Sequence, residues 1–233
     1  FFQRKIAKIM SHASHVIVGN EYLYKYTAKH NIKNVTKIPT VIDERKYYKK
    51  TKTKSKDKSN GNSITIGWIG TPATSFFLDP LLPVFKNLYV KHNIKLVLIG
   101  ARGVDFNCQF IECIEWNERT EVEMIQTFDI GIMPLGSDFF EKGKCGYKLI
   151  QYMSCGVPVV ASPIGENNFI VDHDKNGFLA NSNYDWEKYL EKLITKEDLR
   201  KDFGENGFRK VQEKYTINIQ GPKLVNLFKK IHG

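Results

Sequence analysis

Residues 129–163 read DIGIMPLGSDFFEKGKCGYKLIQYMSCGVPVVASP. Two short apolar runs, DIGIMPL and VPVVASP, flank GYKLIQYMSC, whose apolar residues recur at helical spacing. Strand, helix, strand at these lengths is one right-handed crossover of a parallel sheet. The alternation continues in both directions. ITIGWIG (64–70), KLVLIGA (95–101) and CQFIECIEW (108–116) read as strands, and FLDPLLPVFKNLYVKH (77–92) and ERTEVEMIQTF (118–128) as helices. NGFLANS (176–182) is a short sixth strand, and the remainder is helical. The predicted fold is α/β, a doubly wound, Rossmann-like parallel sheet.

Upstream, FFQRKIAKIMSHASH is helical by pattern, VIVGN (16–20) is strand-like, EYLYKYTAKH is helical and VTKIPTVID (35–43) is extended. So few elements cannot cover both faces of a sheet. With Phe1 rather than Met at its head, the chain is expected to continue a larger amino-terminal part. The predicted organisation is 1–44, the end of an amino-terminal α/β domain; 45–62, a basic linker; 63–215, a ligand-binding domain; and 216–233, a helix packing back on the amino-terminal part.

The chain has 233 residues, 42% of them hydrophobic and 12% aromatic, in the range of a soluble globular protein. No apolar run approaches the roughly 18 residues of a membrane span. Four cysteines without Cys-x-x-Cys or His pairing give no metal-ligand pattern, and reduced thiols point to a cytoplasmic setting. The net charge of +10 is concentrated: residues 45–60, RKYYKKTKTKSKDKSN, carry Arg45 and seven lysines against Asp57, which leaves +3 for the rest. This run has no apolar periodicity and reads as solvated linker. It lacks the recognition elements of a nucleic-acid binder. Peripheral contact with an anionic inner membrane face stays open.

In a doubly wound sheet, ligands bind beyond the carboxyl ends of the strands. That rule selects GTPATS (70–75), GARGVD (100–105), PLGSDFFEKGKCG (134–146) and SPIGEN (162–167). Neither G-x-G-x-x-G nor G-x-x-x-x-G-K-[ST] occurs, so a dinucleotide fingerprint and a P-loop are unsupported. The third loop is long and enters a helix with Lys144 before it and Lys148 in its first turn. Cations are disfavoured at a helix start, where free N–H groups and the dipole favour anions. A bound phosphate would remove that penalty; a snorkelling surface lysine is the alternative.

The run from Asp129 to Ala180, with GKCGYKLIQYMSCGVPVVASPIG at its centre, resembles the carboxy-terminal domain of GT-B-fold glycosyltransferases of the large retaining group called family 4. GWIGTPATSFFLDPL and LVLIGA fit the first strands of that domain, and the match covers roughly residues 64–215. The resemblance implies transfer of a sugar from a nucleotide-sugar, a UDP- or GDP-sugar, to a glycan or lipid-linked acceptor with retention. It implies no further cofactor and no metal site. The amino-terminal domain would hold most of the acceptor, so this chain alone is expected to bind donor without turnover. It assigns Lys148 to the diphosphate, with Lys144, Arg102 and the backbone at Gly70 and Thr71 as further contacts. Two glutamates usual in the family fall here on Gly143 and Gln151, with Glu141 two residues from the first. Gln151 can still hydrogen-bond a ribose hydroxyl. Trp116, ending the third strand, is a candidate flank for the base. A non-catalytic nucleotide-binding or interaction module of the same fold is the alternative.

Overall fold

The computed structural model describes residues 2–49, 63–101 and 108–232. Six strands form one parallel sheet: β3 (Thr65–Ile69), β4 (Lys95–Ile99), β5 (Ile111–Ile114), β6 (Ile130–Met133), β7 (Val159–Ala161) and β8 (Gly177–Leu179). Their spatial order is β5-β4-β3-β6-β7-β8. The chain winds outward from β3 to β5, then returns to pair β6 with β3 (Ile66 opposite Ile130) and winds the other way. The direction reverses between β3 and β6, the point at which a doubly wound sheet places its ligand crevice.

The inner strands are apolar on both faces because helices cover both. Ile66, Trp68, Leu96, Leu98, Ile130 and Ile132 face α3 (Leu82–His92) and α8 (Asn183–Thr195), meeting Phe85, Leu88 and Leu190. Ile69, Val97, Ile99, Met133 and Val159 point to the other side, against α4 (Glu121–Ile125), α6 (Tyr147–Ser154), α7 (Asn167–Ile170) and α9 (Glu197–Lys214). Each strand alternates between two separate cores, as a pleated ribbon must.

Before the sheet, α1 (Phe2–His12), β1 (Val16–Val18), α2 (Glu21–Lys29) and β2 (Val35–Lys37) make a small unit, with β1 and β2 paired in parallel. The segment that follows β2 joins the rest of the protein through a short bridge and a helix-end contact. Ile42 pairs with Thr216, and the Glu44 carboxylate accepts from Ile217 N and Asn218 N at the start of α10 (Ile217–His232). An acid there complements the positive end of the helix.

Three expectations need correction. The helix read as 77–92 is α-helical only from Leu82; Pro72–Leu81 is a 3-10 helix. Pro80 and Pro83 supply no N–H to an α-type ladder across the junction, so the tighter turn persists. The helix read as 118–128 shrinks to α4, and α5 (Phe139–Lys142) and α7 are four-residue helices inside stretches read as loop. One residue of the basic run is not solvated: Arg45, Tyr48 and Lys49 are exposed, but Tyr47 is 3% exposed and packs in the core beneath α6. Residues 50–62 lie outside the described residues. Among the described residues no helix is long and apolar enough to cross a membrane.

Candidate active site

The crevice is walled by the end of β3 on one side and by the α5–α6 segment on the other. Helix α6 starts at Gly146, in the left-handed region at φ 67°, with no side chain capping it. A Cβ there would lie 2.3 Å from Ile170 Cδ1, so glycine is required on both conformational and steric grounds. Leu149 N and Ile150 N bond back to Gly146 O. The N–H groups of Tyr147 and Lys148 meet no acceptor among the described residues, and they leave the helix end open to an anion.

Lys148 reaches from this first turn to β3. Its Nζ lies 4.2 Å from the centroid of the Trp68 ring, and a Cβ on Gly70 would come within 2.6 Å of it. The amine is held against the carboxyl end of β3, at the reversal point of the sheet. No carboxylate pairs with it among the described residues. Burial, reinforced by the charge of Lys144, pulls its pKa down to about 7. The Lys144 amine sits 4.8 Å from the Phe77 ring centroid and 5.3 Å from that of Phe140. Burial lowers its pKa too, opposed by the nearby Glu141. Glu141 is itself 93% buried, and its Oε2 has no hydrogen-bond partner among the described residues. A carboxylate oxygen out of water and unpaired costs free energy unless something donates to it.

Gly70 and Thr71 stand where the sequence places them. Gly70 N bonds Ile99 O, and Thr71 N donates to Thr74 Oγ1 at 3.3 Å as the 3-10 helix begins. Lys148 thus reaches Gly70, and Lys144 reaches Phe77 in the 3-10 helix that begins after Thr71. Arg102 lies outside the described residues. Gln151 is buried one turn below Lys148, and its Nε2 donates to Tyr47 Oη at 2.7 Å. Tyr47 in turn donates to Glu121 Oε1, while Lys46 Nζ and Trp116 Nε1 donate to the same carboxylate at 2.8 and 2.9 Å. These donors hold Glu121 below the usual carboxylate range although burial opposes them. Trp116 is about half exposed beside Gly100, at the end of β4, where a ring can flank a ligand.

Sequence reasoning missed Tyr47, Glu121 and Asn20. Tyr47 is embedded in a lysine run and Glu121 in an acidic segment, so both read as surface. Asn20 is fully buried, caps α2 through Leu23 N, and donates through Nδ2 to the carbonyls of Gly143 (2.7 Å) and Lys144 (3.2 Å). A buried asparagine at the end of a strand-like run was the one signal available, and it did not name a partner. The four cysteines are free, and no His, Cys, Asp or Glu group that could hold a metal occurs among the described residues.

Residues 49–210 match the family described as glycosyl transferases group 1. The chain is 24% identical over 187 residues to the capsular polysaccharide biosynthesis glycosyltransferase CapM of Staphylococcus aureus, covering 72% of this chain and 46% of that protein. It is 21% identical over 216 residues to the N-acetyl-alpha-D-glucosaminyl L-malate synthase of Bacillus anthracis, covering 86% and 54%. The chain thus spans about half the length of these curated relatives. Among solved structures, Anabaena HepE in complex with UDP and glucose superposes with a TM-score of 0.79 at 12% identity, over 97% of this chain and 66% of that one. Staphylococcus aureus TarM, in a complex that includes UDP, gives 0.73 at 20% identity, over 97% and 46%. At these identities the structural likeness speaks for the GT-B fold, and the family match spans well over half of the chain. With that fold and that match on one sheet, the chain belongs to the group 1 glycosyltransferases.

Proposed function

We propose that the crevice binds a nucleotide-sugar and that the protein transfers its sugar, with retention, to a glycan or lipid-linked acceptor. The observation that carries this reading is Lys148, a cation without a carboxylate partner among the described residues, packed over Trp68 beside an uncapped helix start. A diphosphate supplies the missing negative charge. Lys148 and Lys144 would meet the charge that builds on the leaving diphosphate, in a site where burial makes such charges count for more than in water. Glu141, with its unpaired Oε2, would accept from donor-sugar hydroxyls. Gln151 would contact the ribose, and Trp116 would flank the base. UDP in the complexes of HepE and TarM makes UDP-sugars the first donors to try, with GDP-sugars next. The acceptor is proposed to lie mostly on the portion of the relatives that this chain does not span.

Calorimetry with UDP, GDP and ADP tests the phosphate assignment. Lys148→Ala should weaken the best of them by about 10- to 100-fold, the loss of one charge-assisted contact. Unchanged affinity would remove Lys148 from the site. A non-catalytic nucleotide-binding role is favoured by one observation, Gly143 standing where the family usually has an acid. Supplying this chain with the amino-terminal portion typical of its relatives, and finding neither donor hydrolysis nor transfer, would select that reading.

A further inference from the structure

The donor reading gives Gln151 a ribose contact, yet an amide can present either a donor or an acceptor to a ligand. The network behind Gln151 removes the choice. Glu121 is a carboxylate held ionised by Lys46 and Trp116, so it can only accept. The single proton of Tyr47 must therefore point at Glu121. The phenol oxygen is left with lone pairs alone. Whatever Gln151 offers Tyr47 must be an N–H, and its Nε2 lies 2.7 Å away. The Oε1 atom accepts from no described residue.

We infer that Tyr47 and Glu121 act as positioning residues that lock the Gln151 amide with its carbonyl oxygen free for the ligand. An uncharged side chain then offers the ribose hydroxyls the acceptor that a glutamate would offer. The inference rests on the nucleotide reading above and adds an origin for ribose selectivity. Trp116 joins the network to the crevice, since it donates to Glu121 from beside Gly100 at the end of β4. Residue 47 reaches α6 from 104 positions away in sequence, so the grip also depends on the segment that links the small amino-terminal unit to the sheet.

Calorimetry with UDP and GDP, each beside its 2′,3′-dideoxy counterpart, separates orientation from general damage. The wild type should bind the better ribonucleotide about tenfold more tightly than its dideoxy form, the value of one hydrogen bond to a buried acceptor. Tyr47→Phe should bring that ratio below about threefold while leaving the dideoxy affinity unchanged. Glu121→Leu, which keeps roughly the volume and leaves no acceptor, frees the phenol proton to turn toward Gln151, inverts the amide and should collapse the ratio likewise. That variant carries the test alone if Tyr47→Phe does not fold. A wild-type ratio preserved in both variants, or equal losses for both nucleotide forms, overturns the lock while the nucleotide reading stands. A wild type that does not distinguish ribose from dideoxyribose, or that binds neither UDP nor GDP, overturns the lock together with the assignment beneath it.

Discussion

Lys148 shows why a group can be costly in the free protein and still suit its function. Its amine is enclosed by Trp68 and the end of β3 and has no counter-charge among the described residues, so burial brings its pKa to about 7. The unfolded chain holds that proton up to about pH 10.4. Between those values the unfolded state binds more protons, and this lysine favours folding increasingly as pH rises from about 7 towards 10. Binding of an anion runs the other way, because only the ammonium attracts it. Nucleoside diphosphate affinity should therefore fall as pH is raised from about 7 to 9, and binding near pH 8 should take up a proton as the diphosphate restores the charge. Calorimetry at pH 8 in two buffers of different ionisation enthalpy would register the uptake. Lys148→Met should abolish it and raise the stability of the unliganded protein by about 1 kcal/mol, since an apolar side chain fits the same enclosure. Proton uptake that survives in Lys148→Met would assign the shifted group elsewhere.

At the scale of elements, the strands were legible because each is a short apolar run ending at a turn, and central parallel strands have no polar face to confuse the pattern. Helices α5 and α7 were not, since four residues cannot display a 3.6-residue period. The 3-10 stretch 72–81 was hidden for another reason: its apolar residues fit a helix, and only the proline positions reveal the tighter geometry. The site helix α6 was read correctly, but the reason for Gly146 was not visible. That glycine allows α6 to start directly against Ile170 of α7. Gly146→Ala combines a positive-φ strain with a Cβ at 2.3 Å from Ile170 Cδ1. It should cost about 2–3 kcal/mol in urea denaturation, more than the usual penalty for alanine at a left-handed position. A loss under about 0.5 kcal/mol would show that α7 yields readily and does not fix the helix start.

Across the whole molecule, the crevice loop is held by segments far from it in sequence. Periodicity located the sheet and its ligand edge, but no local pattern could link Asn20 to residues 143–144, or Tyr47 to Gln151 and Glu121. Such long-range pairs leave only a buried polar residue as their trace. Asn20 spends its whole side chain on the junction: Oδ1 caps α2, and Nδ2 joins two carbonyls of the segment that leads into α6. The two roles can be separated by substitution. Asn20→Ala loses both and should destabilise by about 2 kcal/mol, the sum expected for a cap and a buried bridging amide. Asn20→Asp keeps an excellent cap but turns an acceptor toward two carbonyl oxygens. If the bridge to 143–144 matters, aspartate should be no better than alanine in chemical denaturation, and both variants should weaken UDP binding by loosening the approach to Lys144 and Lys148. Recovery of full stability by aspartate would reduce Asn20 to a helix cap, and its bridge to residues 143–144 would then have no part in setting the geometry of the crevice.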